Sequence, residues 1–351
     1  RLAEVLDIGC HALKADLTLP RPAADYTLLG LGLENHAHFP FRFAWDDLDI
    51  RFTVAGEQMT TIIATPHGEL RIEMDLTRQM LCDGISMPFV QRYPLQSAAD
   101  IAPLCHVFEH IRVVPTTAGF QQFSTHVGDS GLPVASGMPA ASPMHLILHN
   151  LTPIENFWYL YNDEPEAMRR LAAAIEPVYE AVLRATLACD AGVFYWGSNY
   201  DQSVTHPPFF RQEIAPWLSH AAQSAHAVGK MLLTHADGNN GALLDLYPSC
   251  GVDVLESVCT EPMIPITMRG LVEAVSGRCA LWGGIPSVML LPQQVSTADF
   301  DLFLDEFFNQ LGASRRCVIG VSDNVPPEAD LNRIIKINDK CRLNRLQGDK
   351  R

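Results

Sequence analysis

The stretch that decides the fold is Lys230-Met-Leu-Leu-Thr234, followed at once by His235-Ala-Asp237-Gly238. An apolar run this short, closed by polar residues and glycine, reads as a strand buried on both faces that ends in a polar loop. The pattern recurs in Gly192-Val-Phe-Tyr-Trp196, Val252-Asp-Val-Leu255, Cys279-Ala-Leu-Trp282 and Cys317-Val-Ile-Gly-Val321. Helical patterns separate these runs. One opens at Asp163-Glu164-Pro165-Glu166 and continues through Met168, Leu171, Ile175, Val178, Val182 and Leu187. Acidic residues and proline suit the free N–H groups of a first turn. Further helices are expected near Pro207–Val228, Gly241–Pro248, Ile266–Val275, Thr297–Leu311 and Pro327–Leu343.

Strands alternating with helices specify an α/β protein with a parallel sheet. No G-x-G-x-x-G and no G-x-x-x-x-G-K-[ST] occurs, so a nucleotide-binding open sheet loses its main signal. The expectation is a (β/α)8 TIM barrel, with earlier strands at Ile111–Pro115 and Leu132–Ser136. Residues 1–150 are more irregular. Phe41–Val54 and Thr60–Met74 flank the turns Gly56-Glu57 and Pro66-His67-Gly68, and read as strands of a hairpin packed on the larger body. The expected organisation is one domain over 1–351: an N-terminal irregular/β extension with the hairpin over 1–75, and the barrel over 76–351.

Composition bounds the partners. The 351 residues carry 25 Lys+Arg against 40 Asp+Glu, a net charge of −15. An acidic chain lacks the basic footprint that nucleic acid or anionic lipid requires. With 48% hydrophobic and 19% charged residues, the chain is globular. No apolar run is long enough for a membrane span. The nine cysteines form no C-x-x-C pair, so no disulfide framework or zinc module is signalled. Arg1-Leu-Ala-Glu-Val does not read as a secretory leader, and a reducing, cytoplasmic setting is expected.

A barrel places its chemistry after the C-terminal ends of its strands. Those ends carry Gly197-Ser-Asn199-Tyr200-Asp201, His235-Ala-Asp237, Glu256, Gly283-Gly284 and Ser322-Asp323-Asn324. In an extended segment His235 and Asp237 point to one side, where imidazole and carboxylate suit zinc or another divalent ion. Spacing alone leaves the alternative open, and favours it: Asp237 caps the next helix and His235 is satisfied within the mouth. Two other histidine patterns stand out. His106-Val-Phe-Glu109-His110 matches H-x-x-E-H, yet Ser97–Ile111 reads as a plain amphipathic helix with a serine cap, and no second ligand helix follows. His145 and His149 share a helix face within Pro143–Leu151, where a core role is favoured. No G-x-S-x-G occurs, and no cysteine is singled out as a nucleophile.

A wider set of residues resembles the uroporphyrinogen decarboxylase superfamily. It comprises Phe209-Phe210, Pro216-Trp217, Gly229-Lys230, His235-Ala-Asp-Gly238, Leu243-Leu244, Gly251-Val-Asp253, Glu256, Trp282-Gly-Gly-Ile285 and Ser322-Asp-Asn-Val-Pro-Pro327. The segment from Ala141-Ser-Pro143 to Asp163-Glu-Pro165 also fits, so the resemblance spans roughly residues 60–345. It implies a TIM barrel with its site at the C-terminal mouth. Decarboxylases of the superfamily use an arginine-rich N-terminal segment and an aspartate. Here Arg21, Arg42 and Arg51 are scattered, a poor match for an acidic tetrapyrrole. A decarboxylase-type lyase acting on an acidic substrate is therefore the second expectation.

The first is the methyltransferase branch, which works with corrinoid proteins. Its coenzyme M-type members hold zinc with His-x-Cys and a distant Cys before the last helix. The corresponding positions here are His235, Asp237 and Asp323, so both thiolates become carboxylates. A harder site suits the polarisation of an oxygen. The resemblance thus implies transfer of a methyl group from an O-methyl substrate to a corrinoid, as in O-demethylases. His235, Asp237 and Asp323 would be the metal ligands, and Glu256 a fourth ligand or proton relay. Tyr200, Asn199 and Asp201 would contact substrate or donate the proton, while Trp196, Trp282 and Phe194 would wall an aromatic pocket. No D-x-H-x-x-G motif is present, so the corrinoid is expected on a separate partner protein docked over the mouth. A homo-oligomer is a further expectation.

Overall fold

The computed structural model describes residues 33–35, 39–82, 88–128, 131–275, 277–312, 314, 316–322, 325–326 and 328–348. In chain order the strands are β1 Leu33–Asn35, β2 Phe41–Trp45, β3 Asp49–Ala55, β4 Gln58–Thr65, β5 Gly68–Asp75, β6 Phe89–Arg92, β7 Ile111–Pro115, β8 Gly131–Ser136, β9 Val193–Ser198, β10 Met231–His235, β11 Val254–Val258, β12 Ala280–Ile285 and β13 Cys317–Val321. Seven of them form one parallel sheet in the order β1-β8-β9-β10-β11-β12-β13. The sheet is curled, and helices such as Pro165–Ala188, Ala215–Ala227 and Thr297–Leu311 connect its strands.

Side chains alternate between the two faces of this sheet. Val134, Val193, Leu233, Val254 and Trp282 form a small cluster inside the curl. Phe194, Trp196, Leu232, Leu255, Leu281 and Ile319 point the other way and join the main core beneath the helices. Both faces are therefore dry, which is why the strands read as unbroken apolar runs.

Ile111–Pro115 is a strand, but not one of the parallel set. It pairs antiparallel with β2. Its partly exposed pattern and the ion pair of Arg112 with Asp46 (2.7 Å) suit a ribbon rather than a doubly buried strand. An eighth parallel strand is not present among the described residues. Phe41–Val54, expected as one strand, breaks between β2 and β3, where Asp47 adopts φ 58°. Aspartate tolerates that left-handed turn. The hairpin expected around Gly56-Glu57 and Pro66-His67 is present and belongs to a four-stranded antiparallel sheet, β3-β4-β5-β6.

The helix Thr297–Leu311 has the expected bounds, and the Ser296 hydroxyl caps it by accepting the Asp299 N–H. The segment Pro207–Val228 contains a π-turn, Phe210–Ile214, between helical pieces. The last helix spans Leu331–Gly348, starting later than expected, and Asp330 accepts the Asn332 N–H at its entry. Strand β11 lies two residues further on than the apolar run suggested, so Glu256 falls inside the strand rather than after it.

Candidate functional site at the sheet mouth

Stepping two residues on from Val134, Val193, Leu233 and Val254 leads, at the mouth of the curl, to Ser136, Tyr195, His235 and Glu256. Ladder register joins them in pairs: Ser136 faces Tyr195, and His235 faces Glu256. The His235 Nδ1–H donates to Glu256 Oε2 at 2.5 Å. The Glu256 side chain is wholly buried, while that of His235 is 17% exposed. A carboxylate can only accept, so it fixes the tautomer and leaves Nε2 as the working nitrogen. The Tyr195 ring lies 6.5 Å from His235. The Ser136 hydroxyl, also buried, has no hydrogen-bond partner among the described residues. One layer down, Trp282 closes the floor. None of the inward positions of β8 to β13 is Lys or Arg.

The expected site residues separate into groups. His235 and Glu256 come together as described, with Trp282 below them. Asn199 is exposed at the rim, adopts φ 58°, and donates its N–H to the His235 carbonyl at 3.2 Å. Asp237 is half-buried on the loop after β10, where its charge, after burial, helps to raise the Cys259 thiol. Asp323 lies outside the described residues.

Tyr200 and Trp196 are on the other face of the sheet. The Tyr200 hydroxyl shares a hydrogen bond with Thr234 (2.8 Å), its ring stacks on His145, and burial pushes its pKa well up. The Trp196 indole N–H donates to the Ala141 carbonyl at 3.0 Å within the main core. Neither side chain reaches His235. The reason is phase: the bulge at Gly197, φ 81°, shifts the register between β9 and β10, so Ser198 faces His235.

Asp201 braces two loops. Its carboxylate accepts the Ser203 N–H (2.8 Å), the Ser203 hydroxyl and the Asn239 N–H (2.9 Å). Burial raises its pKa, but these hydrogen bonds outweigh that and hold it below the usual value. An ionised, fully engaged carboxylate is a tie rather than a proton donor. Tyr195 and Ser136 were not anticipated from the sequence. Counting in twos from Val193 and Val134 would have found them.

An imidazole that donates Nδ1–H to a carboxylate is oriented as metal-bound histidines usually are. Catalytic zinc nevertheless takes three protein ligands. Among the described residues, no three His, Cys, Asp or Glu side chains are arranged to hold an ion. The described donors therefore do not make a metal centre by themselves. A cavity of about 500 Å³ lies at the opposite end of β12 and β13, lined by Val272, Cys279, Leu281, Leu311 and Cys317.

No family model and no curated protein matches this chain. Among solved structures, the fold is similar to that of a methyltransferase from Methanosarcina mazei. The TM-score is 0.51 at 17% identity, over 74% of this chain and 73% of that one. At that identity the likeness is one of fold.

Proposed function

We propose that the chain moves a methyl group from a small O-methyl substrate to a corrinoid carried by a partner protein covering the mouth. In this reading the curled sheet is the larger part of a (β/α)8 barrel of the uroporphyrinogen decarboxylase type, working in the cytoplasm. The observation that carries the proposal is the His235–Glu256 pair at the mouth, above an aromatic floor, with no Lys or Arg at the described inward positions of β8 to β13.

The barrier to such a transfer is the poor leaving group, an alkoxide or phenolate. The corrinoid, when bound, supplies the nucleophile for the methyl carbon. As the C–O bond breaks, the imidazolium of His235 gives its Nε2 proton to the departing oxygen. The neutral ring that remains stays tied through Nδ1–H to Glu256. Tyr195, partly exposed above the cluster that contains Trp282, offers the flat surface on which an aromatic ether would lie. That no described inward position of β8 to β13 is Lys or Arg disfavours a carboxylate-rich substrate, and with it the lyase alternative.

Mixing the protein with a reduced corrinoid protein and aryl methyl ethers, and following corrinoid absorbance, tests the proposal. Formation of the methylated corrinoid, strongly slowed in Glu256→Gln, is the expected result. No methylation from any ether, methylamine or methylthiol overturns it. Carbon dioxide release from an acidic substrate would instead support the lyase. The Nδ1–carboxylate contact favours a second reading of the same mouth, in which a divalent ion rests on His235, Asp237 and Asp323. A stoichiometric metal lost in both His235→Ala and Asp323→Ala would establish that reading.

A further inference from the structure

The two edges of the antiparallel sheet are built differently. At one edge lies β6, which is four residues long, shifts register against β5 between Glu73 and Met74, and is bracketed by Pro88 and Pro94. Short length, a bulge and proline are common defences of an exposed edge. At the other edge lies β3. It pairs with β4 over all seven residues without a register shift, and holds no proline, lysine or glycine. Phe52 and Val54 lie on one face of it and are 58% and 60% exposed. Ile50, on the same face, stands in line with Ile63 and Leu70, both buried in the core. Apolar surface therefore runs from the core out to this edge.

The turn after β3 sets the direction of its backbone groups. Gly56 and Glu57 form a two-residue loop, with Gly56 at φ 65°, closed by the pair Ala55–Gln58. The closing pair of such a hairpin is hydrogen-bonded, and bonded pairs then alternate along the ladder. Asp49, Arg51, Thr53 and Ala55 therefore turn their N–H and C=O groups to β4. Ile50, Phe52 and Val54 turn theirs to the open edge, where no backbone hydrogen bond among the described residues uses them.

The strand is also complementary to itself. In an antiparallel pairing of two copies about a two-fold axis at Phe52, Phe52 faces Phe52, Ile50 faces Val54, Arg51 faces Thr53 and Asp49 faces Ala55. The large apolar side chains meet on one face, and no like charges are opposed. Each of the pairs Phe52–Phe52, Ile50–Val54 and Val54–Ile50 exchanges two N–H···O=C bonds, which uses every outward backbone group of those residues. An axis at Arg51 would set arginine against arginine, and an axis at Ile50 or Thr53 would overlap less of the strand.

We propose that the β3 edge is the interface between two copies of this chain, which join their four-stranded sheets into one continuous antiparallel sheet across a two-fold axis at Phe52. The contact is isologous, one patch meeting itself, and so closes at the dimer. It lies on a different sheet from the mouth and is independent of the proposed methyl transfer. Pairing through one short strand is at the small end of specific interfaces, so the dimer should dissociate on dilution.

Analytical ultracentrifugation of the full-length protein, from nanomolar to tens of micromolar, tests this. A dimer at the upper end that dissociates on dilution is the expected result. Phe52→Lys sets two ammonium groups against each other at the axis and should give a monomer with the circular dichroism of the wild type. Thr53→Arg, at an exposed position, reads the register and serves equally if Phe52→Lys misfolds. It places arginine opposite Arg51 twice and should weaken association by about 2- to 30-fold. Adding Arg51→Glu makes both pairs opposite in charge and should restore association. A wild-type monomer at tens of micromolar overturns the proposal, and leaves the edge to residues 1–32 of the same chain or to another protein. A dimer that Phe52→Lys leaves intact, or whose affinity Thr53→Arg does not move, overturns it as well.

Discussion

The parallel sheet and the antiparallel sheet of β3 to β6 treat polar residues in opposite ways. Every residue of β11 is buried, Glu256 included. Every residue of β3 is at least partly exposed, and Phe52 is 58% exposed. On β3 the pair Arg51–Glu69 stands in water, where a charge costs little and indicates little. On β11 a carboxylate is expensive unless matched, and the match is His235. A polar residue is therefore informative in proportion to the burial it has to survive.

The largest expected difference between the sheets is in packing. Trp282→Ala should cost about 3–5 kcal/mol, because the side chain is wholly enclosed. Phe52→Ala, on the exposed strand, should cost well under half of that. Urea denaturation of both variants decides the matter, and equal losses would break the comparison. The chemical counterpart is Glu256→Gln. It should retain the circular dichroism of the wild type and lower the proposed methyl transfer by about 10²- to 10⁴-fold. Unchanged turnover would remove the proton role assigned to the pair.

Glycines sharpen the contrast at smaller scale. A Cβ at Gly197 would sit 2.0 Å from the Tyr200 hydroxyl, while one at Gly56 meets nothing within 4 Å. Both have positive φ. Gly197→Ala should destabilise by about 1–3 kcal/mol more than Gly56→Ala, which bears only the backbone strain of about 1 kcal/mol. Thermal melts of the two variants read the difference directly.

Histidines offer a pH test. Burial, and then the charge of His149, place His145 well below its ordinary value of 6.5. The unfolded chain therefore takes up a proton from about pH 6.5 downward, while the folded one does not until lower pH. Its stability is full above that value, declines as pH falls through the interval, and levels off below the folded pKa. Acid titration of stability should be flatter in His145→Gln than in wild type. An equally steep curve would place the acid sensitivity elsewhere. The smallest effect belongs to the exposed pair. Arg51→Ala should change stability by about 0.2–1 kcal/mol, and less in high salt.

Much of the fold was legible in the sequence. The five apolar runs are β9 to β13, because a strand covered on both faces must be apolar at every position and is bounded by polar loops. The same continuity hid the phase. Phe194, Tyr195 and Trp196 are equally apolar to a reader, yet only Tyr195 faces the mouth. Trp196 reads as a wall of the mouth for that reason, and Tyr200 because it follows the strand, yet both pack in the main core. The ribbon of β2 with β7 was hidden too, since its pairing joins segments some 70 residues apart. Asp201 shows the reverse case, a residue at the expected loop whose carboxylate is occupied by hydrogen bonds.

The sequence by itself determined that this is an α/β chain, where its buried strands run, and that His235 ends one of them with Asp237 just beyond. Those properties are local: run length, spacing and turn chemistry suffice. Only the tertiary structure decided which side chains meet. The contact of His235 with Glu256 depends on the register between neighbouring strands, and the approach of His67 to His106 depends on how a hairpin lies on a helix. Register and docking are set by packing summed over many residues, and no single stretch of the chain records them.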